Sequence, residues 1–388
     1  MRREAERRNV TRRPELDVLR GLMLVLMTVT HVPTRYSNWL SQPFGFVSAA
    51  EGFVFLSAYM VGAIYTRRAI ESGTAAMRTA LWHRARLVWL CQVGMLLFLF
   101  TLIAKIGLRT DRRVIKNLIS FYLEEPIDAL WTGLALIYNP PLLDILPMYV
   151  LFMLASPLAL TLGLRRNGWL LVIACSLTLW ALAQFGLAQA LYSAVVRATG
   201  LKVPLHETGA FDLVAWQFLW IFGMWMGSRR EALPVRRAFA NWVVALALVF
   251  AVTCLVWRHA VGQAPFGPQP ELNLLFDKWR LGPLRMLDFC ALLVVITRFG
   301  PYLAHVRFPV LETLGRASLP VFCAHVLIVL LVLAMIGDRI GRTPLWAETL
   351  LLISTLIGLY AVALLSNRLD REQRAERDRQ PVSARTGG

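Results

Sequence analysis

A chain of 388 residues that is 57% hydrophobic, with a mean hydropathy of +0.55, holds more apolar side chain than a soluble core can bury. Its apolar residues fall in repeated runs of near-spanning length, which excludes a soluble enzyme and predicts an all-α polytopic membrane protein. The formal net charge of +17 does not signal a nucleic-acid partner, because the arginines gather at both termini and in alternate loops, the pattern that marks cytoplasmic loops.

Residues 1–15 form a basic tail, with Arg2, Arg3, Arg7, Arg8, Arg12 and Arg13 expected on the cytoplasmic side. The next run ends at His31. Its basic flank is like that of a signal peptide, but the run is long, contains His31 and lacks a small-residue cleavage site, so it reads as the first membrane helix. Arg20 and His31 are eleven helical steps apart, almost three turns, which puts both on one face about 16 Å from each other. A cation buried on a membrane helix costs several kcal/mol unless a partner or a wet cavity receives it, so both are candidate functional residues. The plain alternative is an Arg20 that snorkels to headgroups and a His31 that sits wet at the interface. Asp17, three residues before Arg20, is placed to orient it through a local ion pair.

A second helix over about Ala49 to Tyr65 returns to the inner side, with Glu51 starting it at the level of His31 and Arg67-Arg68 ending it. His83, Arg84 and Arg86 open a third, about Leu87 to Ile106. The stretch 109–141 is broken by Glu124-Glu125-Pro126 and is expected outside as an interfacial or re-entrant piece. Further helices are expected over about Ile145 to Gly163, behind Asp144, and over Trp169 to Ala188. Phe211 to Gly227 ends in Arg229-Arg230, with Arg236-Arg237 in the same inner loop, and Trp242 to Trp257 leads back out. Leu284 to Phe299, Leu319 to Ile336 and Leu345 to Ser366 complete the set. Residues 16–366 are thus one domain of about ten transmembrane helices, with residues 367–388 as a charged tail. Both termini are expected to be cytoplasmic, with membrane lipids around the bundle. The five cysteines, Cys91, Cys175, Cys254, Cys290 and Cys323, lie in apolar runs without ligand spacing, so no metal site is expected.

With that topology, His31, Glu51, Asp144, Asp212, Gln217, Arg285 and Asp288 project to one outer level from several helices. Such a set either lines a cavity open to the outer compartment or is a ring of interfacial polar residues. In the first case His31 is the natural proton acceptor, because its ordinary pKa lies near neutrality, and Glu51 would orient the imidazole. At the opposite level stand Arg20, Arg67, Arg68, Arg84 and Arg86, with His83. Guanidinium groups suit phosphates, although for Arg67 and Arg68 simple positive-inside anchoring explains the pattern. Trp39, Trp131, Trp216, Trp220 and Trp279 suit sugar stacking or an aromatic belt. His325 reads as a buried neutral imidazole or as a further member of the site.

Several longer motifs carry a resemblance. The Arg-x10-His spacing of Arg20 and His31 comes with Glu15-Leu16-Asp17-Val18-Leu19-Arg20-Gly21, Ala50-Glu51-Gly52-Phe53-Val54-Phe55-Leu56-Ser57-Ala58-Tyr59 and Leu143-Asp144-Ile145-Leu146-Pro147-Met148-Tyr149. To these are added Ala215-Trp216-Gln217-Phe218 and the run from Leu314 to His325, which reads Leu-Gly-Arg-Ala-Ser-Leu-Pro-Val-Phe-Cys-Ala-His. In these the chain resembles the OpgC branch, the glucan succinyltransferases, of the membrane acyltransferase 3 superfamily. The resemblance implies about ten helices, an acyl-coenzyme A co-substrate (succinyl-coenzyme A in that branch) on the inner side, no permanently bound cofactor, and a periplasmic glucan or other glycan as acceptor. It implies that His31 is the essential histidine and Arg20 the helix 1 arginine, while Arg84 and Arg86 approximate the superfamily's Arg-x-x-Arg pattern. On this reading Arg20, His83, Arg84 and Arg86 bind acyl-coenzyme A. Asp144, Trp216, Gln217, Arg285 and Asp288 bind the acceptor. A homo-oligomer is compatible with it. The competing class is a transporter or flippase of an anionic or lipid-linked solute, against which stands the absence of an inverted repeat and of paired broken helices.

Overall fold

The structure, a computed structural model, describes residues 14–229, 239–303, 308–337 and 343–379. The basic tail before residue 14, the inner-loop residues Arg230, Arg236 and Arg237, and the end of the C-terminal tail lie outside the described residues. Among the described residues every regular element is helical.

Helix α1, Pro14–His31, starts at a proline and has Glu15 and Asp17 in its first turn, charges that match the helix dipole, and His31 in its last. Helix α2, Ala49–Phe98, is capped by Ser48, whose backbone N–H donates to Glu51 at 3.1 Å. At Gly73 the backbone turns to φ 86°, ψ 162°, a conformation in which only glycine is unstrained. That break folds α2 into two arms side by side: Tyr65 and Leu87 line one cavity, whereas a straight helix would hold them about 33 Å apart. The expected second and third helices are therefore one hairpin.

A π-helical stretch, Leu99–Ile103, carries α2 on into Ala104–Arg109, and the short helices Arg113–Leu118, Ser120–Glu124 and Pro126–Leu134 follow, so 109–141 forms no single span. Then come α3 (Ile145–Gly163), α4 (Gly168–Gln184), α5 (Leu187–Thr199), α6 (Leu213–Ser228), α7 (Asn241–Val261), α8 (Pro283–Leu303), α9 (Pro309–Arg316), α10 (Ser318–Ile336) and α11 (Leu345–Arg379). The expected fifth helix is bent by 82° where α4 meets α5.

Five described helices are long and apolar enough to cross a membrane, or six if the bent pair is one span, and these make the chain a membrane protein. The other expected crossings are also helical. However, α1 carries Glu15, Asp17 and Arg20, α8 carries Arg285, Asp288 and Arg298, and α6 has 16 residues. By length and apolarity, five or six described helices are candidate spans, one of them the two-armed α2 hairpin, where ten crossings were expected.

Packing at the two ends of the bundle fixes where the polar side chains of α1 and α10 can meet. Gly21 of α1 and Gly315 of α9 lie against the other helix's backbone, so closely that an added Cβ would fall 2.0 Å from the Leu311 carbonyl oxygen and 1.8 Å from that of Asp17. Helix α9 is thereby pinned across the start of α1, and the first turn of α10 is delivered beside Arg20. At the other end the loops knit into a crown. Arg35 N–H donates to Glu348 at 2.9 Å, Asn139 N–H to the Glu207 carbonyl at 2.9 Å, and Asp212 N–H to the Trp279 carbonyl at 3.0 Å.

Candidate active site

Two contacts tie α1 to α10 and set their relative direction. Arg20 donates to the Ser318 hydroxyl, and His31 Nδ1 lies 3.0 Å from His325 Nε2. Moving from Arg20 to His31 on α1 matches moving from Ser318 to His325 on α10, so the two helices run parallel.

The Arg20 end is cavity-lined. One cavity has Arg20, Phe53, Ser57, Arg84, Tyr149, Ser318 and Phe322 in its wall, and a second has Tyr65, Arg68, His83 and Arg84. Arg84 belongs to both walls, at the junction. Phe322 in the first wall packs its ring on Phe53 with centroids 5.7 Å apart. The other side of Phe322 meets His325 edge to face, with centroids 5.1 Å apart. Arg20, Arg84 and Phe322 thus share one cavity wall, and the Phe322 ring stands between that wall and His325. His83 and Arg86 are both exposed, but only His83 faces a cavity.

The two imidazoles differ in access. His325 is fully buried, whereas His31 is half-buried. Their planes are 14° apart and their centroids 5.3 Å apart. That separation is the 3.0 Å nitrogen contact plus one ring radius from each side, so the rings meet edge to edge in an in-line hydrogen bond.

The imidazole partner of His31 is therefore His325, and Glu51 is engaged elsewhere. One Glu51 oxygen accepts from Arg285 Nε and the other from the Ser48 hydroxyl and backbone N–H, with both ionic side chains 1% exposed. The reason is geometric: a capping-box glutamate reaches back over its own first turn, which aims it at Ser48 and at α8 behind it. Arg285 is correspondingly closed inside an ion pair.

Much of the expected acceptor surface has the same character. Trp216 is fully buried and its indole N–H donates to the Trp279 carbonyl at 3.0 Å. Gln217 accepts from the Ser176 hydroxyl at 2.6 Å and donates to the Ser176 carbonyl at 2.8 Å, fastening α6 to α4. Asp288 accepts from Phe46 N–H at 2.8 Å. Asp144, in the loop ahead of α3, accepts from Ala210 N–H at 3.1 Å, and burial pushes its carboxyl up to about 6. Asp17 lies 3.9 Å from the Arg316 guanidinium of α9.

Three residues of the site are not among those expected from the sequence. Ser318 and Phe322 lie in the Leu314–His325 motif, two turns and one turn before His325, and that spacing is the sign that they share its face. Lys278 sits in a Pro- and Gly-rich loop with no periodicity around it. Its charge acts on His31, Glu51, Asp144 and Arg285, and its ammonium lies 4.6 Å from the centre of the Trp279 ring. Burial pulls its pKa below the ordinary lysine range. Among the described residues no cluster of His, Cys, Asp and Glu could hold a metal ion.

The sequence profile of the OpgC protein family matches residues 12–371, nearly the whole chain. No curated protein and no solved structure matches it.

Proposed function

Since the chain belongs to the OpgC family, which implies a transferase role and suggests a glucan as what is modified, we propose that it is a membrane O-acyltransferase. In this reading it moves an acyl group, succinyl by its resemblance, from cytoplasmic acyl-coenzyme A to a hydroxyl of a periplasmic glucan. The chain crosses the inner membrane ten times with both termini cytoplasmic. The parallel course of α1 and α10 supports that alternation, as does α11, which starts beside Arg35 and reaches the Thr313 carbonyl of α9 through Asn367 at 3.0 Å.

The observation that carries the reading is the run of contacts from the Arg84 and Arg20 wall through Phe322 and His325 to His31. Arg84 and Arg20 hold the phosphates of the donor by charge-assisted hydrogen bonds, which leaves its thin acyl-bearing arm to pass along Phe53 and Phe322. His31, half-exposed at the far end of α1, takes the proton of the acceptor hydroxyl as its oxygen bonds to the thioester carbonyl carbon. Collapse then breaks the carbon–sulfur bond. The sulfur leaves with the electron pair, receives the proton held by His31, and departs as coenzyme A thiol, leaving an ester on the glucan.

The test is purified full-length protein in detergent with succinyl-coenzyme A and a β-glucan oligosaccharide, read by mass spectrometry. A new succinyl ester is expected, and His31→Ala should lower turnover about 10²- to 10⁴-fold. A transporter or flippase would form no ester. Near-normal turnover in a folded His31→Ala protein would end the general-base assignment.

A further inference from the structure

His325 is buried, sits on a different helix from His31, and touches neither cavity; nothing in its position lets it meet a substrate. Its two ring nitrogens nevertheless each face one partner, and those partners are chemically unequal. Nδ1 lies 2.9 Å from the Phe322 backbone carbonyl, and Nε2 lies 3.0 Å from His31 Nδ1.

A carbonyl oxygen only accepts, so His325 Nδ1 must carry a hydrogen. The ring is fully buried and meets the Phe322 ring edge to face, which favours the neutral imidazole. A neutral imidazole protonated at Nδ1 has its lone pair on Nε2. The in-line contact with His31 can then be a hydrogen bond only if His31 Nδ1 is the donor. A neutral His31 that donates from Nδ1 keeps its own lone pair on Nε2, the nitrogen turned away from His325.

From this geometry we propose that His325 is a positioning residue: the Phe322 carbonyl sets its tautomer, and it in turn sets that of His31, presenting Nε2 as the basic nitrogen. This rests on the reading of His31 as general base. When His31 has taken the substrate proton on Nε2, its Nδ1–H stays bonded to His325, so the imidazolium forms against an acceptor already in place. The uncharged partner orients the base without adding a negative charge inside the bundle, where an unpaired carboxylate would be costly.

The two substitutions that separate this from a packing role are His325→Phe and His325→Gln. Phenylalanine keeps the ring volume and removes the acceptor; glutamine puts an amide oxygen close to the place of Nε2. His325→Phe should lower kcat about 10- to 100-fold, part of what a general base contributes, while both KM values stay within about two-fold. His325→Gln should recover most of the loss. Equal activity of the two variants, whether high or low, or a loss expressed in KM, would overturn the proposal.

Should His325→Phe fail to fold, nitrogen NMR of the intact protein with labelled histidine reads the same point directly. His31 should be protonated at Nδ1 and bare at Nε2 near neutral pH; a bare Nδ1 would overturn the proposal without any variant. Failure of the base reading looks different. In that case His31→Ala retains turnover whatever His325 does, whereas an inactive His31→Ala beside a fully active His325→Phe removes the role of His325 alone.

Discussion

The two ends of the bundle use the same residue types in opposite ways. At the Arg20 end, Arg20 and Arg84 stand in cavity walls, and the half-exposed Arg84 joins two cavities. At the His31 end, Arg285 is closed against Glu51, and Arg258 donates to Gln42 at 2.6 Å inside the loop crown. An arginine closed off within the protein only holds helices and loops together; one at the wall of a cavity, even when it also bonds within the protein as Arg20 does, can meet a ligand. What separates a structural cation from a binding one here is access: Arg20 donates to Ser318 yet still borders a cavity, whereas Arg285 and Arg258 line neither of the two cavities.

The largest effect should come from opening the closed pair. Arg285→Ala leaves the Glu51 carboxylate buried without its guanidinium, so thermal unfolding in detergent should show a loss of about 3–5 kcal/mol. Replacing both partners, Arg285→Met with Glu51→Leu, should restore much of it. If Arg285→Ala instead leaves stability intact and weakens acceptor binding, the His31 end is a binding surface and the contrast between the ends fails.

Next in size are the cavity arginines. A hydrogen bond to a charged group is worth about 1.5–3 kcal/mol. Arg20→Ala and Arg84→Ala should therefore each raise the donor KM about 10- to 100-fold and leave the acceptor KM nearly alone. Arg86→Ala is the internal control: Arg86 is exposed and lines neither cavity, so it should change the donor KM less than about two-fold. Equal effects at all three positions would mean general charge attraction rather than a site.

The smallest effect concerns Asp144. Burial holds its carboxyl at about 6, above the ordinary carboxylate range, so the folded chain binds a proton there more tightly than the unfolded chain does. Its contribution to stability is complete below pH of about 4 and is lost as pH rises through about 6. Asp144→Asn should flatten that part of the unfolding curve. A flat wild-type profile between those values would show that the crown is wetter around Asp144 than its packing indicates.

Residue order alone determined the class of protein, the long apolar helices, and the placing of Arg20 and His31 on one face of α1, because helix geometry and hydropathy are local; helices such as Leu187–Thr199 and Pro309–Arg316 were not expected. The motif resemblance reached further and identified the family, since it joined segments from α1 to α10 without needing their packing. Local pattern also marked the break in 109–141 through Glu125-Pro126. It could not say which side chains meet across helices. His31 and His325 are 294 residues apart, and Glu51 and Arg285 are 234 apart. The next helix at the same depth offers Glu51 as the expected partner of His31. Depth is one coordinate only. The rotation of each helix about its axis and the angle at which it crosses its neighbour decide the contact, and those depend on packing such as Gly21 and Gly315 at the α1–α9 crossing. The tertiary structure therefore turned Glu51 toward Arg285, brought His325 to His31, and left Arg84 at the wall of a cavity.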